Sequence, residues 1–118
     1  MVFQRGDVVE IPFLLGKGAQ NHPAIILSNE EVYAVDEAYL CVMVTHSKHR
    51  DIFAFELTGD MFNQPLGQGE YMEARLHLVT YILKSHITPN THTGRRRMKQ
   101  NAVDRLVEHI KVKALSQL

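Results

Sequence analysis

The chain has 118 residues, which suits one folded domain spanning residues 1–118. Its 13 Lys and Arg residues balance 13 Asp and Glu residues, so net charge leaves nucleic-acid binding open, and 45% hydrophobic residues are ordinary for a globular protein. No apolar run in the sequence reaches the roughly 18 residues of a membrane span, and the lone Cys41 cannot form an internal disulfide. We therefore expect a cytoplasmic protein without membrane association.

Five segments of the sequence are predicted to form β-strands. The first has apolar residues at period two, and the others are rich in β-branched, apolar or aromatic residues between turn signals. They lie at residues 8–13, 24–27, 39–45, 52–57 and 71–87. The third and fourth are most simply a hairpin around a polar cluster, and the last is either one long bent strand or two short ones. The acidic stretch at 29–37 shows no clear period and is predicted to be a loop.

One helix is predicted after the strands. Asn101 is a suitable N-cap, Asp104 follows three residues later, and apolar residues then recur at helical spacing to the end of the chain. Residues 89–99 contain the basic run 95–97 and are predicted to be an exposed connector, whose cations are either solvated or in contact with phosphate. Many strands followed by one amphipathic helix predict a mainly β fold, a small barrel with the helix docked on it.

His22 is the candidate functional residue beside the second predicted strand. Pro23 fixes its own φ and favours an extended His22, so the imidazole is expected at the start of a buried strand. The preceding loop, residues 14–21, carries glycines on both sides of Lys17 and is predicted to be a mobile flap that presents one cation near His22. A His in this position is either a proton-transfer group or a hydrogen-bonded structural residue.

A series of short motifs, in order along nearly the whole chain, resembles the MazF/PemK family of toxins. They are Arg-Gly-Asp-Val-Val at 5–9, the loop around Lys17, His-Pro-Ala-Ile-Ile-Leu-Ser at 22–28, Thr-His-Ser-Lys at 45–48, Arg-Leu at 75–76, Lys-Ser at 84–85 and the final helix. The resemblance implies an SH3-like barrel that forms a homodimer, cleaves single-stranded RNA without a metal or other cofactor, and is inhibited by a cognate antitoxin.

The resemblance also implies where the site lies. The family uses an Arg before Pro-Ala and a Thr after the third strand for cleavage, and these positions hold His22 and Thr45 in this chain. His22 and Thr45 are therefore the predicted catalytic residues. The predicted substrate-binding residues are Lys17, Ser47, Lys48, Arg50 and Arg75.

The chemistry of metal-free RNA cleavage can be matched to these residues directly. Attack by the RNA's own 2′-hydroxyl needs a base, an acid for the leaving 5′-oxygen, and a donor or cation for the charge on phosphorus. An imidazole, with an unperturbed pKa of about 6.5, suits proton transfer, whereas a guanidinium suits charge stabilisation. His22 is thus predicted to transfer a proton and Thr45 to donate a hydrogen bond to phosphate. Lys48 or Arg50 would supply the missing positive charge.

Two alternative functions remain beside cleavage. The first is a non-catalytic barrel that binds nucleic acid or a protein partner, since His22 replaces the family's catalytic Arg. The second is gyrase inhibition, as in the related CcdB toxins, which is disfavoured because the motifs are those of the RNA-cleaving toxins. No metal is expected, since His77 and His86 lack the spacing to any Cys or carboxylate that a metal site requires.

Overall fold

The structure, a computed structural model, describes residues 2–14, 16, 18–88 and 96–117. Its strands are β1 (Val8–Leu14), β2 (Ala19–Ile26), β3 (Ala38–Thr45), β4 (Ala54–Leu57) and β5 (Met72–Leu83). Its helices are α1 (Glu30–Asp36) and α2 (Gln100–Ile110), which a π-helical turn, Lys111–Leu115, continues, and two 3₁₀ turns lie at Gly59–Met61 and Lys84–His86. The strands form one antiparallel sheet in the order β1-β2-β3-β5-β4. The predicted mainly β fold with a C-terminal helix is confirmed.

Both faces of the sheet are covered by apolar side chains. Because side chains alternate along a strand, Val8 and Val9 of β1 belong to two different hydrophobic clusters. The cluster of Val8 includes α2 residues such as Leu106, and we call this side of the sheet the α2 face. The cluster of Val9 includes Ile11 and is contacted by Tyr33 of α1, and we call this side the α1 face. The described helices include none long and apolar enough to cross a membrane.

The sheet is open rather than closed into a barrel, with β1 and β4 at its two edges. The segment before α2 nevertheless links the two ends. Arg97 forms a bridge with Asp7, just before β1, and Met98 forms one with Phe62, which follows the 3₁₀ turn after β4. Met98 is fully buried, Arg96 and Arg97 are half-buried and Lys99 is exposed. The described part of the predicted exposed connector, residues 96–99, is therefore anchored in the core through Met98. Residues 89–95 lie outside the described part of the chain.

Three predicted elements are corrected by the structure. The predicted loop at 29–37 contains α1, whose first turn is capped by the Asn29 side chain accepting from the backbone N–H groups of Glu31 and Val32. β4 pairs with β5 and not with β3, because β5 lies between them in the sheet. Helix α2 begins after Lys99 and not after Asn101, since the backbone of Lys99 donates to Met61 O over 2.7 Å and fixes the helix start.

The second strand is longer than predicted, which changes the setting of His22. β2 begins at Ala19 because its ladder with β1 runs from Leu14–Ala19 to Val8–Ile25. His22 therefore lies inside the strand, opposite Ile11, and not at its start. The segment between β1 and β2 shrinks to residues 15–18. Lys17, the cation predicted to approach His22, lies outside the described residues.

Candidate functional site

Thr45 ends β3 at the border between the apolar cluster and a polar one. Its side chain lies on the α1 face with that of Met43, two residues earlier, and is buried. Its partner across the β3–β5 ladder is Glu73. Thr45 Oγ1 accepts a hydrogen bond from the backbone N–H of Ser47 over 3.1 Å. The hydroxyl proton of Thr45 remains available for donation to a further acceptor.

His22 lies on the same face of the sheet, on the strand next to β3. Ala24 of β2 pairs with Met43 of β3, where the ladder between the two strands ends. His22 precedes Ala24 by two residues and Thr45 follows Met43 by two, so both side chains point to the face of that pair. The His22 ring meets the Phe13 ring edge-on, with centroids 6.3 Å apart and an interplanar angle of 77°. Its Nε2 is buried and has no hydrogen-bond partner among the described residues. The two predicted catalytic residues thus share one face of neighbouring strands.

A buried carboxylate, Glu73, organises the other side of Thr45. Its Oε1 accepts from the Tyr71 hydroxyl over 2.6 Å and from the backbone N–H of His49 over 3.1 Å. Its Oε2 lies 2.9 Å from His49 Nδ1 and accepts from Arg75 Nη1 over 2.9 Å. Burial alone would raise the pKa of Glu73, but these hydrogen bonds lower it below its ordinary value. Glu73 is therefore a charged acceptor for four donors.

Arg75, a predicted substrate-binding residue, is held by two carboxylates. Its Nη1 and Nη2 donate to Asp51 over 3.0 and 2.7 Å, and Nη1 also donates to Glu73. The hydrogen bonds from Arg75 hold the pKa of Asp51 at about 2, and Asp51 in turn raises the pKa of Arg75. Burial, together with the hydrogen bond to Glu73, raises the pKa of Tyr71 to about 12. The positive charge of Arg75 is thus neutralised inside the protein.

The loop between β3 and β4 carries the exposed cations of this region. Ser47, Lys48 and Arg50 are all exposed, as their predicted role requires. Lys48 Nζ lies 5.8 Å from the centroid of the Tyr71 ring, over its face. Within the described part of the chain, Arg50 forms no hydrogen bond or ion pair. Lys48 and Arg50 are therefore cations that lie close to Thr45 in the sequence and form no ion pair with a carboxylate of the described residues.

The basic run before α2 is engaged elsewhere. Arg96 Nη1 donates to Glu70 over 3.1 Å and its guanidinium lies over the Phe62 ring, while Arg97 Nε donates to the buried Asp7 over 2.6 Å. Arg95 lies outside the described residues. The two described arginines of the run thus form structural ion pairs.

A cavity of about 450 Å³ lies beside Arg96 on the other side of the sheet. Pro23 and Met72 are among its lining residues, together with His46. Since Pro23 follows His22 along β2, and neighbouring side chains point to opposite faces, the cavity and His22 lie on different faces. His46 is the neighbour of Thr45, and its Nδ1 donates to the backbone oxygen of Tyr71 over 2.9 Å. The cavity is therefore separate from the pair of predicted catalytic residues.

Sequence reasoning missed the cluster around Glu73. A signal for it exists in and just before β5, where Tyr71, Glu73, Arg75 and His77 recur at period two and form a polar stripe beside apolar residues. Such a stripe is also what a solvated strand face produces, so it does not by itself indicate burial. His49 and Asp51 come from a loop 24 residues away from their partners.

In the described part of the chain, no three His, Cys, Asp or Glu side chains converge as a metal site would require.

Solved structures with a similar fold are known. An endoribonuclease in complex with its cognate antitoxin from Mycobacterial species matches with a TM-score of 0.65 and 13% sequence identity, over 95% of this chain and 94% of that chain. The MazE–MazF complex from Deinococcus radiodurans matches with a TM-score of 0.65 and 14% identity, over 95% of both chains. No protein-family model and no curated protein matches the sequence. The chain therefore has the fold found in these MazF-type toxin structures, and the predicted resemblance to the MazF/PemK family is confirmed at the level of the fold.

Proposed function

We propose that this protein is a metal-independent endoribonuclease of the MazF/PemK toxin type that cleaves single-stranded RNA. The observation that carries the proposal is the placement of Thr45 between two histidine-bearing sites. His22 of the neighbouring strand β2 lies on the same face of the sheet as Thr45, and Glu73, which holds His49, is the partner of Thr45 across the β3–β5 ladder. The likeness to an endoribonuclease structure over nearly the whole chain supports the same reaction class.

The proposed roles follow from the chemistry of the side chains. Thr45 donates its hydroxyl proton to a phosphate oxygen, because its Oγ1 already accepts from Ser47. His22 transfers a proton, as the sequence predicts, and its Phe13 contact orients the ring. Lys48 and Arg50 contact the RNA phosphates from the exposed loop. Arg75 is placed behind them, where its ion pairs with Asp51 and Glu73 fix the loop.

The proposed partners include an antitoxin and a second copy of the chain. The two structures compared above are an endoribonuclease with its cognate antitoxin and a MazE–MazF complex, so an antitoxin is the expected inhibitor here. For the homodimer, β3 and β5 offer an exposed apolar strip on the α2 face, where Leu40 lies opposite Tyr81. Its members are Leu40, Val79, Tyr81 and Leu83, which are 39–49% exposed. A strip of this kind favours contact with a second apolar surface. Separately, we expect the protein to act in the cytoplasm.

A non-catalytic binding barrel is the second candidate function. Two observations favour it: the buried Nε2 of His22 and the neutralised charge of Arg75. In that case the exposed cations of the β3–β4 loop would bind RNA or a protein without cleaving it.

Incubation of the purified protein with a long single-stranded RNA in excess EDTA separates the two candidates. Cleavage into discrete fragments by the wild type, and its loss by roughly 10²–10⁴-fold in Thr45→Val, supports the endoribonuclease. Thr80→Val, in the middle of β5, is the matched control for the loss of one hydroxyl on the same sheet. RNA that is retained in a gel-shift assay but stays intact would instead establish the binding barrel.

A further inference from the structure

We infer that His49, held by Glu73, is the general base that takes the proton from the attacking 2′-hydroxyl of the RNA. This inference rests on the proposed function and deepens it. The pair is absent from the sequence prediction, in which His49 is only part of a polar cluster. It is a relation between a loop residue and a strand residue that are 24 positions apart.

The hydrogen bonds of the His49 ring define which nitrogen carries the proton. Nδ1 lies 2.9 Å from Glu73 Oε2 and 3.1 Å from the backbone oxygen of Ser47. Both neighbours are acceptors, since Glu73 is ionised and a carbonyl oxygen cannot donate. Nδ1 must therefore be the protonated nitrogen of the neutral ring. This leaves Nε2 with a free lone pair, which is the form that a general base requires.

The protein holds this ring in place while leaving part of it open to solvent. Glu73 is fully buried, whereas the His49 side chain is 41% exposed. The backbone N–H of His49 also donates to Glu73 Oε1, so the same carboxylate fixes both the loop and the ring. A carboxylate behind Nδ1 stabilises the imidazolium that forms when Nε2 accepts a proton, as in His-carboxylate pairs of hydrolases. His22 differs, because its Nε2 is the buried nitrogen.

The proposed step is balanced as follows. The 2′-oxygen attacks phosphorus while its proton moves to His49 Nε2, and the bond from phosphorus to the 5′-oxygen breaks. The leaving 5′-oxygen takes a proton from His22, and the products are a 2′,3′-cyclic phosphate and a 5′-hydroxyl. His49 then releases its proton to solvent and His22 regains one from solvent, so both rings return to their starting forms. Thr45, which faces Glu73 across the ladder, is close to the same carboxylate and donates to a phosphate oxygen.

The titratable groups around His49 belong to the β3–β4 loop, to β5 and to the residue just before β5. Glu73 contacts its ring, and Asp51 of the same loop interacts with it electrostatically, as does His77 of β5. Arg75 of β5 and Tyr71, the residue before β5, share Glu73 with it. Because these groups interact with one another, a pH–rate profile reports the whole cluster. A variant at position 49 is therefore needed to assign part of the pH–rate profile to His49.

The test compares His49→Asn with the wild type and with His46→Asn. Asn retains an N–H near the position of Nδ1 and can still donate to Glu73, but it has no group at the position of Nε2. We expect His49→Asn to lose cleavage of single-stranded RNA by roughly 10²–10⁴-fold in kcat and to lose the acid limb of the pH–rate profile. His46→Asn, whose ring bonds to Tyr71 O on the other side of the strand, should keep both.

Two measurements make the outcomes distinct. Thermal unfolding must show that His49→Asn is folded, and should it fail to fold, His49→Gln replaces it. Nitrogen-15 spectra of the wild-type histidines should show His49 protonated at Nδ1 and bare at Nε2, and the opposite tautomer would overturn the inference. Wild-type protein that cuts RNA while folded His49→Asn cuts it equally well would overturn this inference alone. A folded wild type that cuts no RNA would overturn the proposed function, and the role of His49 with it.

Discussion

Arg97 Nε donates to the carboxylate of Asp7 over 2.6 Å and so connects residues that are 90 positions apart in the chain. The Asp7 side chain is 3% exposed, whereas that of Arg97 is 42% exposed. A backbone hydrogen bond joins the neighbouring residues, since Met98 N donates to Gly6 O over 2.8 Å. The ion pair therefore fastens the segment before α2 to the start of β1.

Removal of the Arg97 charge should destabilise the fold. Arg97→Gln leaves the buried Asp7 carboxylate without its cation, and we expect the free energy of unfolding to fall by about 1–3 kcal/mol. Denaturation by urea measures this value. Arg50→Gln, at an exposed arginine outside the ion pairs of the described chain, is the matched control and should change the free energy of unfolding by less than about 0.5 kcal/mol. Equal effects of the two changes would show that the Asp7 pair contributes nothing.

The salt dependence of RNA binding should identify the loop cations and not the described part of the basic run. Lys48→Gln and Arg50→Gln each remove one phosphate contact, so each should lower the slope of log K against log salt by about 0.7. Arg96→Gln should leave the slope unchanged, because Arg96 is paired with Glu70. The binding assay uses a 2′-O-methyl RNA, which resists cleavage through the 2′-oxygen. A slope lowered by Arg96→Gln alone would assign the contact to the run instead.

The Asp51–Arg75 pair should contribute stability that is lost in acid. The pKa of Asp51 is lowered to about 2 in the folded protein from its ordinary 3.8. A carboxylate with a lowered folded pKa stabilises the fold above its unfolded pKa, and this contribution disappears as the pH falls through the folded pKa. The difference in unfolding free energy between wild type and Asp51→Asn should therefore be constant above about pH 5 and shrink toward pH 2. Urea denaturation at a series of pH values measures it, and a difference independent of pH would contradict the pair.

Cys41 should be inert in the folded protein. Burial raises the pKa of its thiol to about 12, and the residue is fully buried in the cluster of the α1 face. Since the thiolate is the reactive form, we expect negligible reaction with a thiol reagent at pH 8 in native conditions and full reaction in denaturant. Absorbance of the released chromophore measures both rates. Rapid native labelling would show that β3 is open to solvent.

Elements with a strong periodic signal could be predicted from the sequence, whereas those made by long-range pairing could not. The alternation of Val9, Ile11 and Phe13 predicts β1 correctly, because period two places these side chains in one cluster. Helix α1 spans seven residues and contains β-branched Val32 and Val35, so its periodic signal is weak. Its N-cap, Asn29, was a usable signal, since it is followed directly by acidic residues.

The candidate site could be predicted only in part, because some of its contacts join residues that are far apart in the chain. Thr45 and His22 follow from motifs along the chain, and the register of β2 and β3 sets them on one face. The Glu73 cluster depends on the pairing of β5 with β3 and on the β3–β4 loop, which folds back over Glu73. Neither feature produces a recognisable pattern in the local sequence. For Arg75, a sequence motif alone does not reveal that Asp51 and Glu73 hold its guanidinium.

The most direct test of the central claim is cleavage of one RNA sequence in two chemical forms. The purified protein, in excess EDTA, is incubated with a single-stranded RNA and with the same sequence carrying 2′-O-methyl groups throughout, and fragment ends are identified by mass spectrometry. We expect the unmodified RNA to yield fragments with a 2′,3′-cyclic phosphate and a 5′-hydroxyl, and the 2′-O-methyl RNA to stay intact. Cleavage of both forms, or of neither by folded protein, would contradict an endoribonuclease that uses the 2′-hydroxyl of its substrate.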